Sequence, residues 1–356
     1  MTVPNDAAPS RGSRRGARPG PIPATMLAVT ARRYGKSDAL AIESLPTPEP
    51  GPGRLLVSVK ASSANAFDWH MLSGTPYFLR LFAGFLKPKR LIQGADVAGI
   101  VEAIGTGAMG FQVGDAIFGS GRGSFADYAT ANPAYVAAVP QGVEFETAAA
   151  TPMAGLTALQ ALRTHGAVKA GDRVLINGAA GGVGTFAVQL AKVLGAAEIT
   201  AVCSTSNVKQ ARALGADRVV DYLAEDFIAA GDRYDVVIDL VGNRTAAEIR
   251  SILAPRARYV GVSGPMTNRW LGPVLYQFRI KRAVRRTDAT FHGFTAVTTA
   301  EDLTFLAGLL ASGQLVPAID RVLGLDGVAE AIDQIATGHG AGKIVIVPGH
   351  STSARA

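Results

Sequence analysis

The sequence predicts an α/β chain in two parts, a small β-barrel followed by a doubly wound parallel sheet. From about residue 147 onward, short apolar strands alternate with helical segments, the pattern of a parallel sheet with crossover helices. Upstream, short strands are broken by glycine turns, as in a small barrel. Between 173 and 195 a strand, a glycine-rich turn and a helix follow one another directly in RVLINGAAGGVGTFAVQLAKVLG.

That last stretch organises the rest. Val174-Leu175-Ile176 reads as a strand buried on both faces. Val183, Phe186, Ala187, Leu190, Ala191 and Leu194 recur at helical spacing, and Gly195 stands where a helix C-terminal glycine belongs. The turn carries Ala179-x-Gly181-x-x-Gly184, with alanine in place of the first glycine of the dinucleotide fingerprint. Small residues let backbone approach a pyrophosphate, and the unpaired N–H groups of the helix start hold the anion. Ala179, Ala180, Gly181, Gly182, Val183 and Gly184 form the predicted cradle.

The next strand, 198–203, selects the dinucleotide. Ser204, 20 positions after Gly184, falls where an NAD site carries a carboxylate for the ribose 2′-OH. The chain offers Ser204-Thr205-Ser206-Asn207 and then Lys209, hydroxyls and a cation without an acid. That favours NADPH over NADH. Ser204 and Thr205 also suit a helix cap, and the two roles are compatible.

In chain order, strands are expected at 26–30, 40–43, 54–60, 94–105, 113–119, 125–129 and 134–139. A helix is expected over 148–162, and further strands at 218–220, 235–240 and 257–262. The last of these places Ser263 at a strand's C-terminal end, facing the cofactor crevice. Segments 302–310 and 328–336 read as helices and 342–347 as a strand that rejoins the barrel. Residues 1–25 are expected to be a disordered basic tail, 26–148 with 300–348 the barrel domain, 149–299 the dinucleotide domain, and 349–356 a tail.

Composition narrows the function classes. One cysteine, Cys203, excludes an internal disulfide and a multi-cysteine zinc site, and suits a reducing cytoplasm. No apolar run reaches the ~18 residues of a membrane span. Of the net charge of +7, four tail arginines against Asp6 supply +3, which leaves +4 for the body. The cationic run 279–286 has the charge to meet an anionic membrane or nucleic acid, but it lacks interleaved aromatics and reads as a solvated helix face, and no nucleic-acid role is expected. Tyr77, Phe118 and Phe291 are candidates to line an apolar substrate pocket.

These motifs, with Asn65-x-x-Asp68, Val113-Gly114-Asp115, Leu214-Gly215-Ala216-Asp217 and Gly342-Lys343, make the chain resemble the medium-chain dehydrogenase/reductase superfamily. The resemblance covers about 26–348 and points to the zinc-free quinone oxidoreductase-like and enoyl reductase-like branch. It implies a GroES-like barrel packed on a Rossmann domain, with nicotinamide and substrate between them, and a homodimer. By the same resemblance Thr157, Val241 and Gly242 contact nicotinamide, Tyr222 flanks the 2′-phosphate and Lys343 belongs to the cofactor site. Asn65 corresponds to a polar residue near nicotinamide and substrate, and also suits the holding of a turn. His70 occupies a proton-relay position, and Asp68 is expected to brace the loop.

In the zinc alcohol dehydrogenases of this superfamily, the positions of Asn65 and Ala95 carry cysteine and histidine, and a further cysteine falls near Ala150. Amide and methyl groups do not ligate zinc, so no metal is expected. The expected activity is zinc-independent hydride transfer from NADPH to a small electrophile, a quinone or an α,β-unsaturated carbonyl. The alternatives are a ketone or aldehyde reductase and a low-turnover NADPH-binding sensor or interaction protein.

Overall fold

In the computed structural model the described residues are 20–264, 270, 272–338 and 340–350. Most of the expected N-terminal tail (1–19), part of the C-terminal tail (351–356) and 265–269 lie outside them.

The barrel is built first. β1 (Thr25–Ala31) and β2 (Leu40–Pro46) form an antiparallel pair. β3 (Leu55–Ala64) leads into α1 (Ala66–Ser73) and then α2 (Arg80–Ala83). β4 (Asp96–Ile104), β5 (Ala116–Arg122) and β6 (Tyr128–Ala138) follow. β3, β4, β5 and β6 are antiparallel neighbours, and β6 returns to pair with β3, which closes this part of the sheet. Closure removes the open edges that invite aggregation.

The expected helix at 148–162 is three pieces: α3 (Phe145–Ala150), α4 (Pro152–Leu159) and a π-helical turn Gln160–His165. Pro152 has no N–H to give to α3, so it starts a helix of its own.

The parallel sheet then forms from β7 (Arg173–Asn177), α5 (Gly182–Val193), β8 (Glu198–Cys203), α6 (Val208–Ala213), β9 (Arg218–Asp221), β10 (Tyr234–Asp239), α7 (Ala246–Ser251), β11 (Leu253–Gly261), α8 (Gly272–Val284) and β12 (Thr290–Gly293). The order across the sheet is β9-β8-β7-β10-β11-β12, all parallel. This is the doubly wound arrangement, with its topological switch between β7 and β10.

α9 (Ala300–Ala311), β13 (Ile319–Leu323), α10 (Val328–Thr337) and β14 (Lys343–Ile346) complete the chain. β14 pairs antiparallel with β3, so the C-terminus rejoins the barrel. β12 and β13, absent from the sequence expectation, are edge strands whose sequences TFHG and IDRVL carry no continuous apolar run.

One hydrophobic core joins both sheets. Phe118 and Ala98 of the barrel meet Leu156 of α4, Ile176 of β7, Phe186 of α5 and Leu306 of α9. Phe118 is fully buried there, so it is a core residue and not the pocket residue expected.

The return path is held by two glutamines. Gln160 donates from Nε2 to the Val297 carbonyl (2.7 Å) and to Asp302 (2.8 Å), and its Oε1 accepts the Val297 N–H (3.0 Å). Gln189 of α5 grips Val316 the same way, at 3.0 and 2.8 Å. Each amide reproduces a strand neighbour for an isolated residue, on either side of α9. A Gln160→Leu substitution strips partners from the Val297 backbone and Asp302 together. We expect a loss of about 1–3 kcal/mol in unfolding free energy, measured by urea denaturation.

Candidate functional site

At the end of β7 the chain turns on Gly178, whose φ of +92° lies in the left-handed region. A Cβ at Gly178 would stand 2.8 Å from Val241 Cγ2. At Gly184 a Cβ would stand 2.2 Å from the Gly178 carbonyl oxygen, so helix and turn pack backbone against backbone. The tight-turn glycine therefore precedes Ala179, which is buried. The Asn177-Gly178 dipeptide is the turn signal that locates it. Gly181 caps α5, and a Cβ there would make only an ordinary contact, 3.7 Å from the Gly178 carbonyl oxygen. Gly182, Val183 and Gly184 open the helix with no acidic residue in its first turn. Ala180 is nearly buried beside them. A phosphate fits this cradle.

Asp239, at the C-terminal end of β10, was not singled out by its sequence. It is buried and accepts from Asn177 Nδ2 (2.9 Å), the Val241 N–H (3.1 Å) and the Gly242 N–H (2.9 Å). Its other oxygen accepts from the Tyr259 and Tyr276 hydroxyls. Burial and the Asp239 carboxylate push both phenols above their ordinary range. One carboxylate thus fixes β7, β10, β11 and α8 around the Val241-Gly242 loop. The available signal was an acid ending the apolar strand VVID just before Gly242-Asn243.

At the end of β8, Asn207 Nδ2 donates to Ser204 Oγ (3.0 Å), and Ser206 Oγ lies 3.2 Å from it. Tyr222 is exposed, and its N–H bonds the Cys203 carbonyl (3.0 Å), so it stands beside Ser204. Lys209 is exposed on α6. The structure corrects one point: an acid is present. Asp221, brought in by β9, accepts from Thr205 Oγ1 (2.6 Å) and the Leu223 N–H (3.0 Å). Only strand pairing of β8 with β9 reveals it.

The barrel contributes a buried polar knot. Lys343 opens β14 and turns its ammonium inward, donating to Asn65 Oδ1 and to the Ala64 carbonyl (3.2 Å). Asn65 Nδ2 donates to Asp96 (2.9 Å) and to the Ser63 carbonyl (3.1 Å). Asp96 also accepts from Ser63 Oγ (2.8 Å) and from the Met153 N–H (3.1 Å) at the start of α4. Asp68 of α1 accepts the Asn65 N–H (2.9 Å), the loop-bracing role expected of it. Burial raises the Asp96 carboxyl and lowers the Lys343 ammonium, while the opposite charge of the partner restrains each. Burial and the neighbouring Asp96 push Asp68 up to about 7.

Asn65 therefore has both amide hydrogens and its oxygen engaged, and positions its neighbours. The Lys343 stem lies beneath the cradle, with Cδ 3.1 Å from where a Gly182 Cβ would stand. His70, further along α1, pairs Nδ1 with the Thr75 carbonyl at 2.6 Å. A carbonyl only accepts, so Nδ1 carries the proton and Nε2 is the lone-pair nitrogen. Burial lowers its pKa.

Thr157 of α4 donates its hydroxyl to the Met153 carbonyl (2.7 Å), which leaves its lone pairs for a ligand. Ser263 is exposed just beyond β11, its carbonyl held by Gln277. Tyr77 meets Trp270 edge to face, ring centres 5.1 Å apart, joining the barrel's 74–90 loop to the dinucleotide domain. Phe291 is half-buried and stacks on Tyr259, ring centres 5.9 Å apart, against the core cluster under α8.

A catalytic zinc does not fit. Ala95 and Ala150 offer methyl groups, and Asn65 and Asp96 are occupied by each other, Lys343 and the backbone. Among the described residues no group of three or more His, Cys, Asp or Glu is placed to hold a metal.

Comparison with known proteins agrees with this architecture. Residues 51–141 match the family model described as "Alcohol dehydrogenase GroES-like domain", and 214–346 that described as "Zinc-binding dehydrogenase". The chain is 33% identical to a chloroplastic quinone-oxidoreductase QR1 of Triphysaria versicolor, over 91% of this chain and 98% of the relative. It is 29% identical to a chloroplastic NADPH-dependent alkenal/one oxidoreductase of Arabidopsis thaliana, over 92% and 81%. The solved quinone oxidoreductase of Coxiella burnetii superposes with a TM-score of 0.80 at 30% identity, covering 91% of this chain and 99% of that one.

A GroES-like barrel on a Rossmann sheet, with these matches, places the chain in the medium-chain dehydrogenase/reductase superfamily. Within it the chain belongs to the quinone oxidoreductase-like branch, a family of NADPH-dependent oxidoreductases.

Asp68 gives a test of the knot. An acid whose pKa is raised in the fold binds more protons folded than unfolded, so its protonation stabilises the fold at low pH. That contribution is full below the unfolded value of about 3.9 and is lost as pH rises through about 7. We expect Asp68→Asn to flatten the fall in unfolding free energy across that window, followed by urea denaturation at stepped pH.

Proposed function

We propose that the protein is a zinc-independent, NADPH-dependent reductase that delivers hydride to a quinone or an α,β-unsaturated carbonyl. The observation that carries this reading is the donor set at the metal position, where amide, methyls and an occupied carboxylate stand beside an intact phosphate cradle. Without a Lewis acid an alcohol is hard to activate, whereas an acceptor that is already electrophilic needs chiefly orientation and burial. The names of the quinone and alkenal/one reductase relatives support the same class.

NADPH, when bound, supplies the hydride. The Gly181–Gly184 turn and the start of α5 hold the pyrophosphate, with Ala179 and Ala180 forming the floor. Ser204, Lys209 and Tyr222 take the 2′-phosphate, while the Thr205 hydroxyl and the Leu223 N–H keep Asp221 occupied. Thr157, Val241, Gly242 and Ser263 orient the nicotinamide, and Asp239 holds the Val241-Gly242 loop rigid. Asn65 and Lys343 fix the barrel wall against the cradle. Tyr77 lines the acceptor side. His70 takes a proton from water at Nε2 and passes it on, since its Nδ1 proton is committed to Thr75.

Residues 26–148 with 300–348 form the catalytic domain and 149–299 the cofactor domain. The lone buried Cys203 suits a reducing cytoplasm. The β12 edge is open for the family homodimer.

The direct test is NADPH oxidation with a quinone, an enone and an aldehyde, each with chelator. Turnover on quinone or enone that chelator leaves unchanged is expected; turnover confined to the aldehyde, giving an alcohol, overturns the reading. Ser204→Asp places a carboxylate against the 2′-phosphate and is expected to lower the NADPH/NADH ratio of kcat/KM at least about tenfold. His70→Ala is expected to lower kcat about a hundredfold and to erase the pH–rate inflection below the ordinary imidazole pKa of about 6.5.

A further inference from the structure

Two exposed segments, far apart in sequence, share an unusual chemistry. In the 77–90 loop Leu81, Phe82, Phe85 and Leu86 face solvent, and on and just before α8 so do Trp270 and Phe278, each 64–85% exposed. Val274 and Leu275 are exposed beside Phe278. The opposite face of α8 is buried through Ile280, Ala283 and Val284. Monomeric proteins seldom expose so much large apolar surface without a partner for it.

Cations follow the same segments. Residues 77–90 hold Arg80, Lys87, Lys89 and Arg90, and 272–286 hold Arg279, Lys281, Arg282, Arg285 and Arg286, with no acid in either. These nine positive charges exceed the chain's net +7, so the remainder of the molecule is net negative. Eight of the nine are exposed, and none of the eight forms a salt bridge with a described residue. Lys281, Arg282, Arg285 and Arg286 with Phe278 line a cavity of about 370 Å³. Four cations around one ring suit a phosphate-bearing headgroup.

The segments are joined and held. Tyr77 contacts Trp270 across the domains at 5.1 Å. Arg80 stacks over Tyr34 and Tyr77 and donates to the Gly74 carbonyl (3.1 Å), and Tyr34 donates to the Gly84 carbonyl. The loop is thus stitched by polar contacts behind it while its leucines and phenylalanines point outward. An ordinary soluble loop would fold those side chains inward.

We infer that this face docks the enzyme on an anionic phospholipid bilayer, with the 81–86 side chains, Trp270 and Phe278 entering the interface and the α8 cations meeting the headgroups. A helix presenting apolar residues and then lysines and arginines along one stripe lies in that plane. Each cation near such a surface strengthens binding about fivefold. A nucleic acid would use the cations and leave Leu81, Leu86 and Val274 without a role. The inference stands on the surface alone and is independent of the acceptor's identity.

The test is vesicle flotation of the full chain with phosphatidylglycerol/phosphatidylcholine and with phosphatidylcholine alone, together with sedimentation analysis. Binding to the anionic vesicles only, weakened by salt, is expected. The triple variant Arg282→Gln, Arg285→Gln, Arg286→Gln is expected to weaken it about a hundredfold, and Leu81→Ser, Phe82→Ser, Phe85→Ser to abolish it. Trp270→Phe is expected to remove a vesicle-induced blue shift in fluorescence. Thermal midpoints and NADPH oxidation with a soluble quinone show that the variants remain folded. Equal binding to neutral vesicles, binding indifferent to these substitutions, or competition by millimolar inorganic phosphate alone would overturn the proposal. So would absence of vesicle binding with a dimer that the serine variant dissociates, since the face would then be an interface between copies of the chain.

Discussion

The Lys343 ammonium is cut off from water where the two sheets meet, and the site is arranged to satisfy it. A charge so placed must be paired and hydrogen-bonded, because removing one partner of a buried pair costs about 3–5 kcal/mol. The Asp96 carboxylate lies 3.9 Å away, with Asn65 bonded to both as the bridge between them. From this pair the contacts spread to β3, β4, β14, α1 and α4, and through the lysine stem to Gly182 of the cradle. The barrel's polar wall and the glycine turn after β7 are consequently in direct contact.

Asp239 does for the cofactor domain what the knot does for the barrel. Each is a buried carboxylate at the C-terminal edge or inner wall of its sheet, with more than two donors converging on it. Both hold backbone N–H groups, Val241 and Gly242 for one and Met153 for the other. The Val241-Gly242 loop and the start of α4 are thereby tied to strands, which hold position better than loops do. The glutamine grips at Val297 and Val316 hold the return path on either side of α9.

Asn65 illustrates how little a residue's type says about its partners. Its type and its spacing to Asp68 pointed to the site, yet its amide is fully engaged within the protein. Phe118 shows the converse: an aromatic residue at the right point in the chain is taken up by the core. Aromatic burial is decided by what packs opposite, which no local pattern contains.

The sequence by itself determined the strand, turn and helix of the dinucleotide unit, the alternation that builds the parallel sheet, and the amide and methyl groups of Asn65, Ala95 and Ala150. These follow from local periodicity, from the size of glycine and alanine, and from which side chains can donate to a metal. The tertiary structure alone decided that Asp221 stands beside Thr205, that Asp239 gathers five donors, that Lys343 reaches Asn65 across 278 residues, and that Tyr77 meets Trp270 just before α8. Those pairings depend on strand order and on domain packing. A charge or a ring acquires its role from a neighbour that the chain delivers from far away.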